Sequence, residues 1–510
     1  MINNKMNRYL FLIFLAALII RFLYYPSEIS FGYDQARDAY ASLKAVSGDF
    51  KIIGPPTTMP DVYHGSAFYY IFGPIYKLFG TDPEVLSMFL RIYNAFGIFL
   101  VYFIALNLFK DKKIALLSSI FFAFSFEQTQ YAMFLGHPAL GVISTLVFYL
   151  GLSLFIFNKK KIGLSVALFG AGMSMQFHFT LINLFFVFLI TAIIFRKQFL
   201  KINLKVVLLS ILALSLSVST FILAEIKYGF RTTNTLLEFL GGKSMDTTKT
   251  IQLENLAVVL KRFLHDNVYS FQTSRYLILP MLLITFYWVI RNQKYKEGGV
   301  FLFVWLFAGI LPYISGGNVQ TNYYFAIGAS VSILILSSVV IVKIYEKYKF
   351  IGGLIFSLII LSNLKLVTSI NPKGTLPEVN AQVGMHLPDE KLILDYIYQK
   401  AEGKAFSVNA LTIPYKINTT WSYLFEWYGL KRYGYLPIWG GDAAEGYEGN
   451  LEVIKAQSKL PKIRFSIVEP KRGMEAWMLE EFTKDEDLFW DLKEEKRFGD
   501  FIVQYRNKRI

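Results

Sequence analysis

Residues 31–38, Phe31-Gly32-Tyr33-Asp34-Gln35-Ala36-Arg37-Asp38, follow closely on an apolar segment that runs from Tyr9 to Tyr25. Two carboxylates and an arginine at the exit of a membrane span point to chemistry done at a bilayer surface. The exit itself, Phe22-Leu23-Tyr24-Tyr25-Pro26, lacks the small residues of a signal-peptidase site, so the segment is expected to stay as a span.

The same apolar texture recurs along the 510 residues, which are 54% hydrophobic and 17% aromatic, with a mean hydropathy of +0.41. Crossing the hydrocarbon layer takes about 20 mostly apolar residues. Eleven stretches are candidates: 9–25, 87–109, 114–131, 139–157, 162–178, 180–195, 206–224, 277–290, 299–315, 325–342 and 350–367. The expected fold class is a polytopic α-helical membrane protein.

The formal net charge is +15, and its placement favours a membrane over a nucleic-acid partner. Basic residues gather at Lys5 and Arg8, Lys110 to Lys113, Lys159 to Lys161, Arg196 to Lys205, Arg291 to Lys296 and Lys343 to Lys349. The loops 132–138 and 315–324 carry no Lys or Arg. This alternation predicts a cytoplasmic amino terminus. An odd number of spans then puts the carboxyl terminus outside, in a multi-pass protein of the plasma membrane. The chain has no cysteine, which excludes disulfides and thiolate metal sites.

Residues 26–86 form a first outside region, acidic on balance. Within it, Gln35 to Ser47 reads as a helix closed by Gly48. Ser66 to Phe79 is aromatic, too short to span and interrupted by Gly73-Pro74, so it is expected to lie flat in the interface. A second outside region, 225–276, holds an amphipathic stretch from Leu253 to Leu264. Asn371-Pro372-Lys373-Gly374 marks a boundary between a membrane domain, 1–369, and an outside α/β domain, 370–510. In the latter, Lys391 to Ala401 reads as a helix, and 406–411, 464–468 and 501–505 as strands.

Asp34 and Asp38 are four residues apart and share a helix face. Either could take a proton from an acceptor hydroxyl. The plainer reading makes Asp34 a helix N-cap and Asp38 a first-turn acid.

An acid soon after the first span is similar to the pattern of the GT-C superfamily of membrane glycosyltransferases. Tyr63-His64-Gly65-Ser66-Ala67-Phe68-Tyr69-Tyr70, then Leu78-Phe79-Gly80, then Arg91, resembles a passage of the protein O-mannosyltransferase and lipid A aminoarabinose transferase family (glycosyltransferase family 39-like). Lys110-Asp111-Lys112-Lys113 is also similar. The resemblance implies a polyprenyl-phosphate sugar donor and a protein, lipid or polysaccharide acceptor. It implies Asp34 as general base of an inverting displacement, with Asp38 as a second catalytic acid. Arg37, His64, Arg91 and His178 are then candidates to receive phosphate or sugar, with Tyr69 and Tyr70 in a segment that guides the lipid. Three departures stand out: Gly65-Ser66 replaces a Pro-Pro pair, Asn322-Tyr323-Tyr324 lacks a preceding basic residue, and the tail differs.

Other residues have two readings. Glu127, with Gln130 on the same helix face, and His137 border the expected site, or Glu127 simply reaches the headgroups. His178 is an interfacial histidine or a phosphate contact. Arg91 binds phosphate or snorkels. Tyr323 and Tyr324 read as interfacial belt, and Asn418-Thr419-Thr420 is a glycosylation sequon by letters. His64, Asp61, Asp34 and Asp38 offer ligands for a divalent metal, although their spacing does not require one. The alternative function is a transporter or flippase of lipid-linked saccharides, which predicts inverted repeats; none is evident. A non-catalytic scaffold is a third reading.

Overall fold

In the computed structural model, the described residues are 4–240, 253–271, 274–314, 320–380, 382–471 and 473–509. The expected loop 315–324 and the second outside region 225–276 therefore lie partly outside them.

The first half is helical. Helix α1 (Asn4–Phe22) leads to α2 (Tyr33–Val46), α3 (Tyr69–Phe79), α4 (Pro83–Ala95), α5 (Gly97–Phe109), α6 (Lys112–Phe124), α7 (Phe126–Met133), α8 (Gly141–Asn158) and α9 (Ile162–Phe177). Among the described residues, three helices are long and apolar enough to cross a membrane: Pro83–Phe109, His137–Asn158 and Lys349–Lys373. A bent pair, Leu204–Ser217 with Ser219–Tyr228, would be a fourth. Leu208, Ile211, Leu212 and Leu216 on that pair face outward, as do Leu354, Leu358 and Leu361. Such outward apolar faces fit lipid rather than water.

Several expected spans are broken. The stretch 114–131 divides at Ser125, whose hydroxyl accepts from the Gln128 amide and starts a new helix. The stretch 206–224 bends by 66° near Val218. In α3 the opposite holds: the helix runs through Gly73-Pro74 instead of breaking there. Gly73 meets Ser42 O and Val46 of α2 so closely that a side chain would collide, so the glycine serves helix packing.

Arg21 is buried and ties α1 to its neighbours. Its Nε donates to Asn94 Oδ1 at 2.8 Å and its Nη1 to Ala123 O at 3.0 Å. Basic residues from three separate loops come together at one end of the bundle. Lys110 pairs with Asn158, and Lys113 lies 4.0 Å from Glu346, which also pairs with Lys343. Lys294 and Lys343 both lie over the Tyr295 ring.

The C-terminal region carries a five-stranded sheet of β1 (Phe406–Leu411), β2 (Ile438–Trp439), β3 (Ile463–Val468), β4 (Trp490–Phe498) and β5 (Phe501–Lys508). The order is β2-β1-β3-β5-β4; β1 is parallel to β2 and β3, and β5 is antiparallel to β3 and β4. Strand β4 is dense in charge, as an exposed edge requires, and for that reason does not read as a strand in sequence. Helix 476–489 is fixed to the sheet by Glu486, which accepts from Arg464 Nε at 2.8 Å and Asn409 Nδ2 at 2.6 Å. One apolar core joins this region to residues 29–90. Phe31 N donates to Met385 O and Leu387 N to Ile29 O, both at 2.9 Å.

Candidate active site

Helix α2 begins at Tyr33 because Gly32 is its N-cap, with the Gly32 amide donating to Gln35 Oε1 at 3.0 Å. Asp34 is therefore inside the first turn and is not the cap. Its carboxylate favours the positive end of the helix. Arg37, one turn on, donates from Nη1 to Asp34 Oδ1 at 2.7 Å and from Nε and Nη2 to Asp38 Oδ1 at 2.9 and 2.8 Å. The guanidinium also lies over the Tyr33 ring, 5.4 Å from its centroid.

The two acids differ in surroundings. The Asp34 side chain is 55% exposed and that of Asp38 only 5%. Oδ2 of Asp38 lies 3.4 Å from His137 Nδ1. Burial pushes the Asp38 carboxyl up, but Arg37 and His137 outweigh it and leave the group below its ordinary value. Burial lowers the Arg37 guanidinium, and the two aspartates more than restore it, so it is raised overall. Arg37 and Asp38 thus stay ionised and locked together, and no protein hydrogen bond reaches Asp34 Oδ2 among the described residues.

Three histidines far apart in sequence converge here. Ring centroids of His64 and His137 are 4.9 Å apart, and those of His64 and His178 are 4.6 Å apart. His64 Nδ1 accepts from the Phe179 amide at 3.1 Å, which puts the proton of the neutral ring on Nε2. Burial lowers His64 well below its ordinary value, and His178, His137 and Arg37 add to this. His137 Nε2 and His178 Nδ1 are buried without a protein partner. Unsatisfied buried nitrogens of this kind are costly in an apoprotein and call for an explanation. The Phe68 ring stacks on His137 at 4.7 Å and Tyr324 lies 5.0 Å from His178. His178 is therefore buried among rings and is not an exposed interfacial residue.

The turn at Gly65 departs from Pro-Pro for a visible reason. Gln176 presses on Gly65 so closely that a Cβ would collide with its backbone, and Gln176 Oε1 accepts from the Ala67 amide at 3.3 Å. His64 also borders a cavity of about 190 Å³ shared with Ile53, Tyr63, Phe221, Glu225 and Arg231.

Most other candidates lie elsewhere; Tyr69 is the exception, its phenol pushed up by burial and by the nearby Asp38. Arg91 is buried and neither snorkels nor turns to a phosphate: it pairs with Glu28, donates to Arg21 O, and reaches Ser87 Oγ at 3.1 Å. Tyr69 is buried, and Tyr70 donates to Lys51 O at 2.8 Å. Glu127 is fully buried rather than at the headgroups, and accepts from Asn267 Nδ2 at 2.6 Å. Gln130 donates to Asn371 Oδ1 at 2.9 Å. Tyr323 is buried too, bonded to Asp266, so it is not a belt residue. The cation missing before Tyr323 in sequence arrives from helix 253–265, where Arg262 lies 4.1 Å over the Tyr323 ring. Asn418, Thr419 and Thr420 of the sequon are buried. Among the described residues, no group of three or more His, Asp or Glu is arranged to hold a metal ion.

No protein-family model matches the sequence, and none of the curated proteins matches it. Solved structures do match. ArnT from Cupriavidus metallidurans, in its apo state, aligns over 98% of both chains with a TM-score of 0.61 at 9% identity. The archaeal oligosaccharyltransferase AglB from Archaeoglobus fulgidus, solved with an inhibitory peptide and a dolichol-phosphate, aligns over 79% of this chain and 62% of its own, at a TM-score of 0.47 and 14% identity. The arabinofuranosyltransferase AftD from Mycobacteria aligns over 79% of this chain and 29% of its own, at 0.43 and 11%. The chain is a helical membrane protein with a C-terminal sheet, and it has the fold of ArnT over nearly its whole length.

Proposed function

We propose that the protein is a glycosyltransferase that moves a sugar from a polyprenyl-phosphate carrier to an acceptor at the outer face of the membrane, with inversion at the anomeric carbon. The observation that carries this is an exposed Asp34 held by Arg37, which also holds Asp38 against His137 in a cluster with His64 and His178, in a chain of this fold. Asp34 takes the acceptor's proton as its oxygen bonds the anomeric carbon. The bond to phosphate breaks on the opposite side, and the leaving phosphate keeps the electron pair. Imidazole N–H groups, free of protein partners, receive its growing charge. The bound donor is a phosphodiester with one negative charge, and the second charge develops only as the bond to the sugar breaks. Asp38 is a positioning residue that holds Arg37 and His137. The small cavity at His64, beside the bent pair of outward-facing helices, gives the lipid phosphate a route from the bilayer.

This reading carries eleven crossings, a cytoplasmic amino terminus, and the division into 1–369 and an outside 370–510. The gathering of lysine loops at one end of the bundle supports it, since the positive-inside rule assigns all of them to one side. The likeness to ArnT, a transferase, supports transfer over the flippase reading.

The test is sugar transfer in membranes from a panel of radiolabelled polyprenyl-phosphate sugars. Asp34→Asn at matched expression should cost about 10²–10⁴-fold in rate, the typical share of a general base. Undiminished transfer would remove Asp34 from that role. No transfer from any donor by the unaltered chain would sink the transferase reading.

A further inference from the structure

A cavity of about 710 Å³ lies where the C-terminal sheet meets the loops of the helical region, and nothing described so far uses it. Ile413, just past the end of β1, and Glu469, just past the end of β3, form one wall. Asn322, Glu378, Gln382 and Val383 form the other. The position has a topological reason. From β1 the chain goes to β2 on one side and returns to β3 on the other, so the order reverses between the carboxyl ends of the parallel strands β1 and β3. Crevices of this kind are where open α/β sheets bind ligands.

Two contacts join the cavity to the candidate active site. Gln382 donates from Nε2 to Ile413 O at 2.5 Å, and its Oε1, buried and without a partner, abuts Gly32, the residue that caps the Asp34 helix. Asn322 Nδ2 donates at 2.7 Å to the Tyr324 hydroxyl, whose ring lies against His178. A molecule in the cavity thus approaches Asp34 from the sheet side, while His64 and its small cavity face the outward apolar helices.

The lining tells which molecule. It presents amides and two carboxyl groups, and among the described residues that line it there is no Lys, Arg or His. Such a wall has hydrogen-bond donors and acceptors to match hydroxyls. The volume is in the range of small-ligand sites. Glu469 accepts from Ile413 N at 2.9 Å and Trp421 Nε1 at 3.1 Å, and burial pushes its carboxyl up to about 8, so at neutral pH it adds little negative charge. We propose that this cavity is the acceptor subsite and that it takes a neutral, hydroxyl-rich saccharide. The proposal rests on the transferase reading above and goes beyond it by naming the acceptor class.

The experiment is calorimetric binding to the full chain in nanodiscs of neutral lipid. The probes are neutral trisaccharides of glucose, mannose and N-acetylglucosamine, the same trisaccharides as phosphate esters, and a neutral hexapeptide. At least one neutral trisaccharide should bind and its phosphate ester should not. Val383→Trp, which fills the cavity, and Gln382→Leu, which removes its free amide at similar volume, should each weaken binding by about tenfold or more. Lys112→Ala, at the lysine end of the bundle, should leave binding unchanged; the base assignment is read from transfer and the subsite from binding, so their failures are separate results. Absence of neutral-saccharide binding, a preference for the phosphate esters or the peptide, or equal binding in both cavity variants would overturn the proposal.

Discussion

The lysine end and the histidine end of this bundle solve opposite problems. At the lysine end, cations from three loops lie in partly exposed contacts such as Lys113 with Glu346 and Lys343 with the same acid. Water and headgroups satisfy them, and each contact is worth little. At the histidine end, polar groups are buried, interlocked by Arg37, and left with two ring nitrogens that nothing in the protein satisfies. Charge that only orients the chain can be loose and redundant. Charge that does chemistry has to be few, fixed and incomplete until a substrate arrives.

The largest break in that comparison should come from Asp34→Asn, which silences transfer while a change at the other end, Lys112→Ala, leaves it intact in the same membrane assay. Next is Arg91, buried and paired with Glu28. Arg91→Met leaves an unpaired buried acid and should cost about 3–5 kcal/mol, read as a lowered thermal midpoint in detergent. A pH scan sharpens the contrast further. His64 is held below its ordinary 6.5, so the folded state binds fewer protons than the unfolded one near that pH. Stability should therefore be present above 6.5 and be lost as pH falls below it, and His64→Gln should flatten that acid limb. Glu469 has the reverse sign: its raised carboxyl stabilises least once pH passes from 4.5 towards about 8. Glu469→Gln should gain relative stability at pH 8 and little at pH 5, in the same thermal scan. The smallest effect belongs to Lys113→Ala, within about 0.5 kcal/mol of the unaltered protein.

How much of this was legible beforehand depends on the range of the interaction. Periodicity is local, so α2, helix 387–401 and strands β1, β3 and β5 follow from their own residues. The alternation of basic loops is also local, and Lys113, Lys294 and Lys343 from three of those loops lie close together. The break at Ser125 was hidden because a single small residue in an apolar run carries no strong signal, yet its hydroxyl caps a helix. The candidate site was half legible. Asp34, Arg37 and Asp38 sit within two turns, so their proximity follows from helical spacing. The meeting of His64, His137 and His178 depends on tertiary packing across more than a hundred residues, and no spacing rule gives it. Arg262 is the instructive miss: it lies in an amphipathic stretch of the second outside region, and only packing brings it onto Tyr323. Arg91 errs the other way, since its sequence context suggests a phosphate contact while its nearest acid, Glu28, takes the charge.

Helix α2 is braced from far along the chain. The Tyr40 hydroxyl donates at 2.8 Å to Glu426, Glu426 in turn accepts from Asn450, and Lys44 pairs with Glu448. The helix that carries Asp34 is thus steadied by partners that a ribosome makes several hundred residues later. On the proposed reading, a chain cut short before Glu426 would hold Asp34 on an unsteadied helix, so competence for transfer waits for the C-terminal sheet region. Half-made copies, already inserted beside the donor, would then not spend it.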